Sequence, residues 1–344
     1  MNVLFLIGNG FDLNVGLKTR FKDVLESYLT KEEKPMLRTK KQTLGEMLMD
    51  NNSIIKKFKE DIKLNIENWS DFEKHLGIYT EKYNAHEIDD FCLCIKHFKE
   101  HLIEHLKKEE EQIDYNLHKD AIVKIFNRSI SNFYEGEGLN DSAKNLLQSI
   151  IYKSNKQGNR LSYNFITFNY TKVLDKCLSY IEGKNIDNVL HIHGDVNKSP
   201  ILGVDNYSQI KNTELAKHKK IGWTIIKPTI NNSLKNTINA DATALIAKSD
   251  IICLFGLSLG ETDKTWWKCI GDYLQTSSKQ LVIFNLVDAW NSIHPEEEIE
   301  RIDQIEEKFC TSADISVAAR FQIARKIHIG LNTDLFKLDL TSVG

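Results

Sequence analysis

The stretch that decides the fold is Val3-Leu4-Phe5-Leu6-Ile7-Gly8-Asn9-Gly10, an unbroken apolar run that ends in two closely spaced glycines. Continuous rather than alternating hydrophobicity is typical of a strand covered on both faces, as in a parallel sheet. A Gly-x-Gly turn lets the backbone approach a pyrophosphate, and the first N–H groups of the next helix would then face the phosphates. Leu13 stands where a full dinucleotide fingerprint has its third glycine, so a purely structural turn is the alternative.

Four further apolar runs end in small or polar residues, at Phe165–Phe168, Val189–Ile192, Ile251–Phe255 and Leu281–Phe284. Together with the first run they predict an α/β fold with a Rossmann-like, mostly parallel sheet and helices on both faces. Ligands of such sheets bind at the carboxyl ends of the strands. The residues that directly follow these runs are therefore the candidates for function.

The segment between residues 40 and 155 has a different character, because it is rich in Lys, Glu and Asn, contains no proline and shows helical spacing. We predict a nucleotide-binding α/β domain at 1–39 and 156–344, with an inserted, mostly helical module at 40–155. The charged run Lys107–Gln112 is interpreted as a solvated helix face. Residues 205–245, which hold Pro228 and many Asn and Lys residues, are interpreted as an irregular segment that covers the pocket.

Composition excludes several classes of protein. The 344 residues include 45 basic and 48 acidic side chains, a formal net charge of −3 that indicates neither nucleic acid nor an anionic membrane as a partner. Six cysteines form no CxxC pair and are interpreted as reduced thiols that pack in the core. No secretory leader and no apolar stretch long enough to span a bilayer are found, so a cytoplasmic location is expected.

Polar residues follow the second run in Thr167-Phe168-Asn169-Tyr170-Thr171. The Asn169 amide can both donate and accept, which suits a ribose, a carbonyl or a positioned water. The structural alternative is a helix cap by Asn169 or Thr171.

The third run ends in His191-Ile192-His193-Gly194-Asp195. Alternation in a strand places the two histidines on one face, or His193 just past the strand end. A histidine near neutral pH fits general-base work, and Gly194 leaves room for a ligand. A metal site on the two histidines, completed by Asp195 or Asp205, is the alternative.

The fourth run leads into a second glycine-rich loop, Gly256-Leu257-Ser258-Leu259-Gly260, which is suited to a ribose or a phosphate. A turn with Ser258 or Thr262 as a helix cap is the structural alternative. Asn285 lies at the tip of the last run, where an adenosine would bind.

The order of these motifs along the chain resembles the sirtuin-like NAD-binding fold. More specifically, the stretches Gly8-Asn9-Gly10-Phe11-Asp12, Phe168-Asn169-Tyr170-Thr171 and His191-Ile192-His193-Gly194 resemble the AbiH family of bacteriophage abortive-infection proteins. Trp69-Ser70-Asp71-Phe72-Glu73 in the helical segment also resembles a pattern of that family.

The resemblance implies NAD as substrate or ligand, with Asn169 and His193 as catalytic residues beside the nicotinamide ribose. His193 would be the general base on a ribose hydroxyl or on the attacking water, Asn169 would position that water or the ribose, and no metal is expected. The residues expected to bind the nucleotide are Gly8, Asn9, Gly10, Phe11, Asp12, Thr167, Gly194, Gly256, Ser258, Asp263 and Asn285.

Two departures from the sirtuin-like pattern matter. The four-cysteine zinc module of sirtuin-type deacetylases is absent, so protein deacylation is not expected. Thr171 stands where sirtuin-like motifs commonly have Asp, which would mean altered catalysis, another nucleotide, or binding without turnover. Asp12 or Asp263 would be the carboxylates able to compensate.

The leading hypothesis is an anti-phage effector that hydrolyses NAD to nicotinamide and ADP-ribose. One alternative is a non-catalytic sensor of NAD or ADP-ribose that signals through the helical module. Another is a metal-dependent hydrolase or nuclease built on His191 and His193. The helical module is the surface expected for a homo-oligomer, and a phage-derived trigger is a further expected partner.

Overall fold

In a computed structural model that describes residues 1–31, 51–187, 189–198, 200–288 and 294–342, the strands all pair in parallel. Across these residues there are seven of them: β1 (Asn2–Ile7), β2 (Ser162–Thr167), β3 (Asn185–Ile186), β4 (Leu190–His191), β5 (Ile251–Phe255), β6 (Gln280–Asn285) and β7 (Ile327–Leu331). The order across the sheet is β3-β2-β1-β5-β6-β7, and β4 also pairs with β2. The predicted parallel α/β sheet is confirmed, and β3 and β7 are additions to it.

The helices of the described residues, in chain order, are α1 (Gly10–Asn14), α2 (Phe21–Thr30), α3 (Asn51–Leu64), α4 (Phe72–Tyr79), α5 (Ile88–Glu111), α6 (Lys119–Ser131), α7 (Asp141–Lys156), α8 (Val173–Leu178), α9 (Thr213–Ala216), α10 (Lys219–Ile225), α11 (Lys227–Ser233), α12 (Ile238–Lys248), α13 (Lys264–Thr276), α14 (Pro295–Ser312) and α15 (Val317–Ile323). Short 3-10 helices lie at Ile66–Ser70, Thr80–Lys82, Ala85–Glu87, Phe133–Glu135, Tyr207–Gln209, Glu261–Asp263 and Ala324–Lys326. Among these helices, none is both long enough and apolar enough to cross a bilayer.

The central strand β1 is covered on both faces, as its continuous hydrophobicity predicts. Val3, Phe5 and Ile7 pack in one apolar cluster, which also contains residues of α6, α7 and α8. Leu4 and Leu6 pack in a second cluster with residues of α12, α13, α14 and α15. Because successive side chains of a strand point to opposite faces, the five-residue run supplies both layers of the core.

The chain divides into two compact units that differ from the predicted domain bounds. One unit comprises residues 1–17, 110–200 and 235–344, and the other comprises 18–109 and 201–234. The predicted boundary at 39/40 lies outside the described residues. Residues 110–155, predicted to belong to the helical module, belong to the sheet unit because Ile122, Phe126 and Leu147 pack in the core cluster under the sheet.

The segment 205–245 is helical rather than irregular, which corrects the sequence interpretation. It contains α9, α10 and α11 and most of α12. The Asn206 side chain accepts from the Ser208 N–H, and the Asn212 side chain accepts from the Glu214 and Leu215 N–H groups. Two of the Asn residues that suggested a loop therefore cap short helices.

Trp69 to Glu73, which resembles a family pattern, has a structural role within the second unit. The Trp69 indole is buried, and the Phe72 ring stacks on Phe98 with centroids 4.0 Å apart. The buried Glu73 carboxylate accepts from the Gly203 N–H at 3.1 Å and from the Lys227 ammonium at 2.7 Å. A buried charge paired in this way ties α4 to the segment around α11.

Candidate functional site

The glycine-rich loops after β1 and β5 meet at the point where the order of the sheet reverses. The Gly8 N–H donates to the Phe255 carbonyl and the Gly10 N–H to the Gly256 carbonyl, each at 2.9 Å. A Cβ on Gly10 would lie 2.5 Å from the Gly256 Cα, and Gly256 itself has a φ of +67°. Both positions need glycine because the two backbones touch there. In doubly wound sheets this reversal is where ligands bind.

The N–H groups of Gly10 and Phe11 are not available to phosphates, contrary to the expectation from sequence. The Gly10 N–H is used between the loops, and the Phe11 N–H donates to the Gly8 carbonyl at 2.9 Å. The Phe11 side chain also does not line the site, because it is fully buried against Phe126 and Phe336. Phe11 therefore anchors α1 to the core.

Asp12, the next residue of α1, joins the first loop to the motif after β2. Its carboxylate is 1% exposed and accepts from the Asn169 Nδ2 at 2.9 Å and from the Thr171 hydroxyl at 2.8 Å. In the sequence, Thr171 replaces the Asp that sirtuin-like motifs commonly have, so a carboxylate is missing from that position. The structure places the Asp12 carboxylate in contact with that threonine.

The ionisation of Asp12 is strongly affected by its surroundings. Burial raises the pKa of Asp12 from 3.8 to about 7, against the hydrogen bonds from Thr171 and Asn169, which lower it. The negative charge of Glu110 raises it further. A carboxyl group that titrates near neutral pH is typical of functional sites.

Asn169 is held by its backbone and by one end of its amide. Its N–H donates to the Thr167 hydroxyl at 3.1 Å, and Thr167 is itself buried and donates to the Ile7 carbonyl at 3.3 Å. The side-chain Oδ1 of Asn169 is buried and accepts no hydrogen bond. Thr167 thus shapes the loop, while Asn169 keeps an unfilled acceptor.

His193 lies just past the end of β4, one of the two positions predicted for it. Its Nε2 is 2.9 Å from Asp263 Oδ1, and because a carboxylate only accepts, Nε2 carries the proton. The ring packs edge-on against Phe168, with centroids 5.6 Å apart. Gly194 follows with a φ of +70°. In the neutral imidazole, Nδ1 is then the free base.

A second polar cluster, of which sequence reasoning named only His191, supports the backbone of Asn169. His191 Nδ1 donates to the Asn169 carbonyl at 3.2 Å, and His191 Nε2 lies 2.8 Å from Asp175 Oδ2 and 3.1 Å from Lys172 Nζ. The Lys172 ammonium also binds Asp175 Oδ1 at 2.6 Å, and the Lys172 N–H donates to the Glu110 carboxylate. His191 is therefore occupied with positioning the strand ends.

The carboxyl groups of this cluster have opposite pKa shifts. Burial raises the pKa of Glu110 above its ordinary value, and nearby Asp195 adds to the rise although the Lys172 N–H opposes it. Burial would also raise the pKa of Asp175, but His191 and Lys172 together hold it below its ordinary value. The run Lys107–Gln112 is thus not a solvated face throughout, since Glu110 belongs to the site. Its position 59 residues before Asn169 gives no local signal for this role.

The remaining predicted residues have looser connections to this centre. Asn9 lies half-buried in the turn between Gly8 and Gly10, and Ser258 is exposed in the loop after β5. Asn285 ends β6, where its carbonyl accepts from the Asn332 N–H at 2.9 Å. The hydrogen bonds and ring contacts above bring together the loops after β1, β2, β4 and β5, and Asn285 is tied to the end of β7 instead.

A metal site on the two histidines finds no support in the described part of the chain. His191 and His193 bind different carboxylates, and no group of three or more His, Cys, Asp or Glu side chains in the described residues is arranged to hold a metal ion. The six cysteines, all described, are free, and five of them are buried.

Comparison with known proteins adds one finding to this geometry. A family model described as Bacteriophage abortive infection AbiH matches residues 4–285 of the chain. The matched range runs from β1 to the last residue of β6 and includes Asn169, His193 and Asp263. No curated protein matches the sequence.

Proposed function

The chain belongs to the AbiH family of bacteriophage abortive-infection proteins, and from this premise we propose that it defends the infected cell by hydrolysing NAD to nicotinamide and ADP-ribose. Membership of the family makes it a phage-defence protein. The binding and cleavage of NAD are the proposal, and they concern the carboxyl edge of the sheet.

The observation that carries the proposal is that two polar groups at that edge, the Asn169 amide and the His193 imidazole, are each held in one orientation by a carboxylate. The Asn169 Oδ1 is a buried acceptor without a partner. His193 has its Nε2 proton fixed by Asp263, which leaves Nδ1 as a base. A free acceptor and an oriented base, close to a reversal of strand order, are what hydrolysis of a ribosyl bond needs.

In the proposed reaction, the bond between the ribose C1′ and the nicotinamide ring nitrogen breaks. Its electron pair returns to the ring, so nicotinamide leaves as a neutral molecule. A water oxygen forms the new bond to C1′, and one water proton passes to His193 Nδ1 and then to solvent. The developing positive charge on the ribose would be stabilised by the surrounding oxygens.

The sensor hypothesis depended on Thr171 in place of a carboxylate. Because the Thr171 hydroxyl donates to the Asp12 carboxylate at 2.8 Å, a carboxyl group is present at this position through another residue. This contact supports turnover over binding alone. The sensor remains a distinct outcome of the following test.

The test is to incubate the purified chain with NAD and to follow nicotinamide by chromatography. We expect release by the wild type, and at least a roughly 100-fold slower release by Asn169→Ala and by His193→Ala, since each removes a group used in the transition state. His294→Ala is the matched control, because His294 is an exposed histidine of the same unit.

Thermal unfolding of the same samples with and without NAD separates the alternatives. Stabilisation by NAD without nicotinamide release would replace the hydrolase with a sensor. The proposal would be refuted if NAD neither stabilised the protein nor released nicotinamide, both with and without phage lysate as a source of the trigger. Equal release by His193→Ala and wild type would refute the role given to the histidine.

A further inference from the structure

We propose that Asp12 is a positioning residue that fixes the amide of Asn169 so that Oδ1 accepts a hydrogen bond from a ribose hydroxyl of the substrate. The inference rests on the proposed function, and it deepens that function by naming what the site recognises. The substrate class it specifies is a nucleotide whose ribose keeps its hydroxyl groups.

The contacts of the amide give its orientation. The Asn169 amide group lies 2.9 Å from Asp12 Oδ1, and only the NH₂ end can donate to a carboxylate. In the reverse orientation, Oδ1 would face the Asp12 oxygen, and two acceptors in contact without a proton between them repel. Ionised Asp12 therefore selects one of the two orientations of the amide.

The selected orientation leaves the oxygen of the amide without a partner. Asn169 is 6% exposed, and its Oδ1 accepts no hydrogen bond. Leaving a buried acceptor unpaired costs free energy, so a ligand that supplies a donor gains relative to one that does not. Ribose hydroxyls are donors, whereas the deoxy position offers only hydrogen on carbon.

Asp12 itself is not placed to contact the substrate. Its side chain is 1% exposed, and its two oxygens are occupied by Asn169 and by Thr171. A group enclosed in this way acts on the ligand through Asn169. Removal of the Asp12 carboxylate should therefore change how strongly the site prefers a ribose to a deoxyribose. A role of Asp12 in folding alone would not produce that change.

The experiment measures binding in a His193→Ala background, where cleavage is expected to be slow. NAD and its analogues that lack the 2′ or the 3′ hydroxyl of the nicotinamide ribose are titrated by calorimetry. We expect one analogue to bind about 10- to 100-fold more weakly than NAD, the range for a buried acceptor that loses its donor. Adding Asp12→Asn should reduce that ratio to about threefold or less, because the substituted amide can donate to Asn169 Oδ1 and lets the amide reverse.

Thr171→Val is the matched control, because it removes the other hydrogen bond to Asp12 and leaves the one from Asn169. It should keep the discrimination between NAD and the deoxy analogue. Discrimination that is unchanged in Asp12→Asn overturns the inference while NAD binding stands. Failure of the His193→Ala parent to bind NAD at all overturns the proposed function and the inference with it.

Discussion

Asp12→Asn should make the protein more stable at neutral pH, by an amount that grows with pH from about pH 4 to about pH 7 and is constant above it. Burial raises the pKa of Asp12 from 3.8 to about 7. Because the folded-state value lies above the unfolded one, the contribution of this group to stability is complete below about pH 4 and is lost as pH rises to about 7. The difference between 3.8 and about 7 corresponds to about 4 kcal/mol of unfolding free energy.

The substituted amide carries no charge at any pH, so it lacks this loss. The groups that face Asp12 are unchanged in the variant: Asn169 and Thr171 as donors, and Glu110, Tyr115 and Cys177 as neighbours whose charged forms would interact with it. We therefore expect the stability of the variant minus that of the wild type to rise by about 4 kcal/mol between about pH 4 and pH 8.

The assay is urea unfolding of both proteins at several pH values, with the midpoints and slopes converted to free energies. Comparing the two proteins at each pH removes the effect of all groups that titrate alike in both. A difference in stability that stays constant across this range would refute the reasoning, because it would mean that Asp12 keeps its ordinary pKa. A protein that retains such a costly carboxylate does so for its site rather than for its stability.

Three further predictions concern other residues of the sheet unit. Gly256→Ala should destabilise the protein by more than about 3 kcal/mol, whereas Gly158→Ala, also at positive φ but with nothing within 4 Å of its Cβ, should cost only about 1 kcal/mol in urea unfolding. Asp263→Asn should lower kcat/KM for NAD by about 100-fold, because the His193 ring loses the carboxylate that orients it. The unfolding free energy should change little, and equal kcat/KM values for the variant and the wild type would contradict that role. Leu147→Ala should cost about 2 to 5 kcal/mol if α7 belongs to the core of the sheet unit, and a cost below 1 kcal/mol would exclude that packing.

The sheet was predictable because β1, β2, β5 and β6 each overlap one of the apolar runs of the sequence. Ile251–Phe255 is the clearest case, since the run and β5 have the same bounds. β7 was missed because His328 and Gly330 interrupt its apolar residues, and β3 because two residues are too short to form a pattern. Domain bounds were less predictable. The amphipathic spacing of α6 and α7 predicts that one face of each helix is buried, but it does not indicate which core that face packs against.

The site was predictable to the extent that it follows from parallel topology. Asn169 and His193 end neighbouring strands, so the sequence indicates that they share an edge of the sheet. The contact of Asp12 with Thr171, two residues that are 159 positions apart, depends on tertiary packing and could be expected only as one alternative. Glu110 lies in a charged helical run whose pattern is that of a solvated face.

The central claim is that this site cleaves the bond between ribose and nicotinamide, and reaction in water labelled with heavy oxygen tests it most directly. Mass spectrometry of the products should find nicotinamide and ADP-ribose in equal amounts, with the label in ADP-ribose at the ribose and not in the phosphates. Label in a phosphate would contradict the account, and so would NAD that remains intact after incubation with the protein and phage lysate.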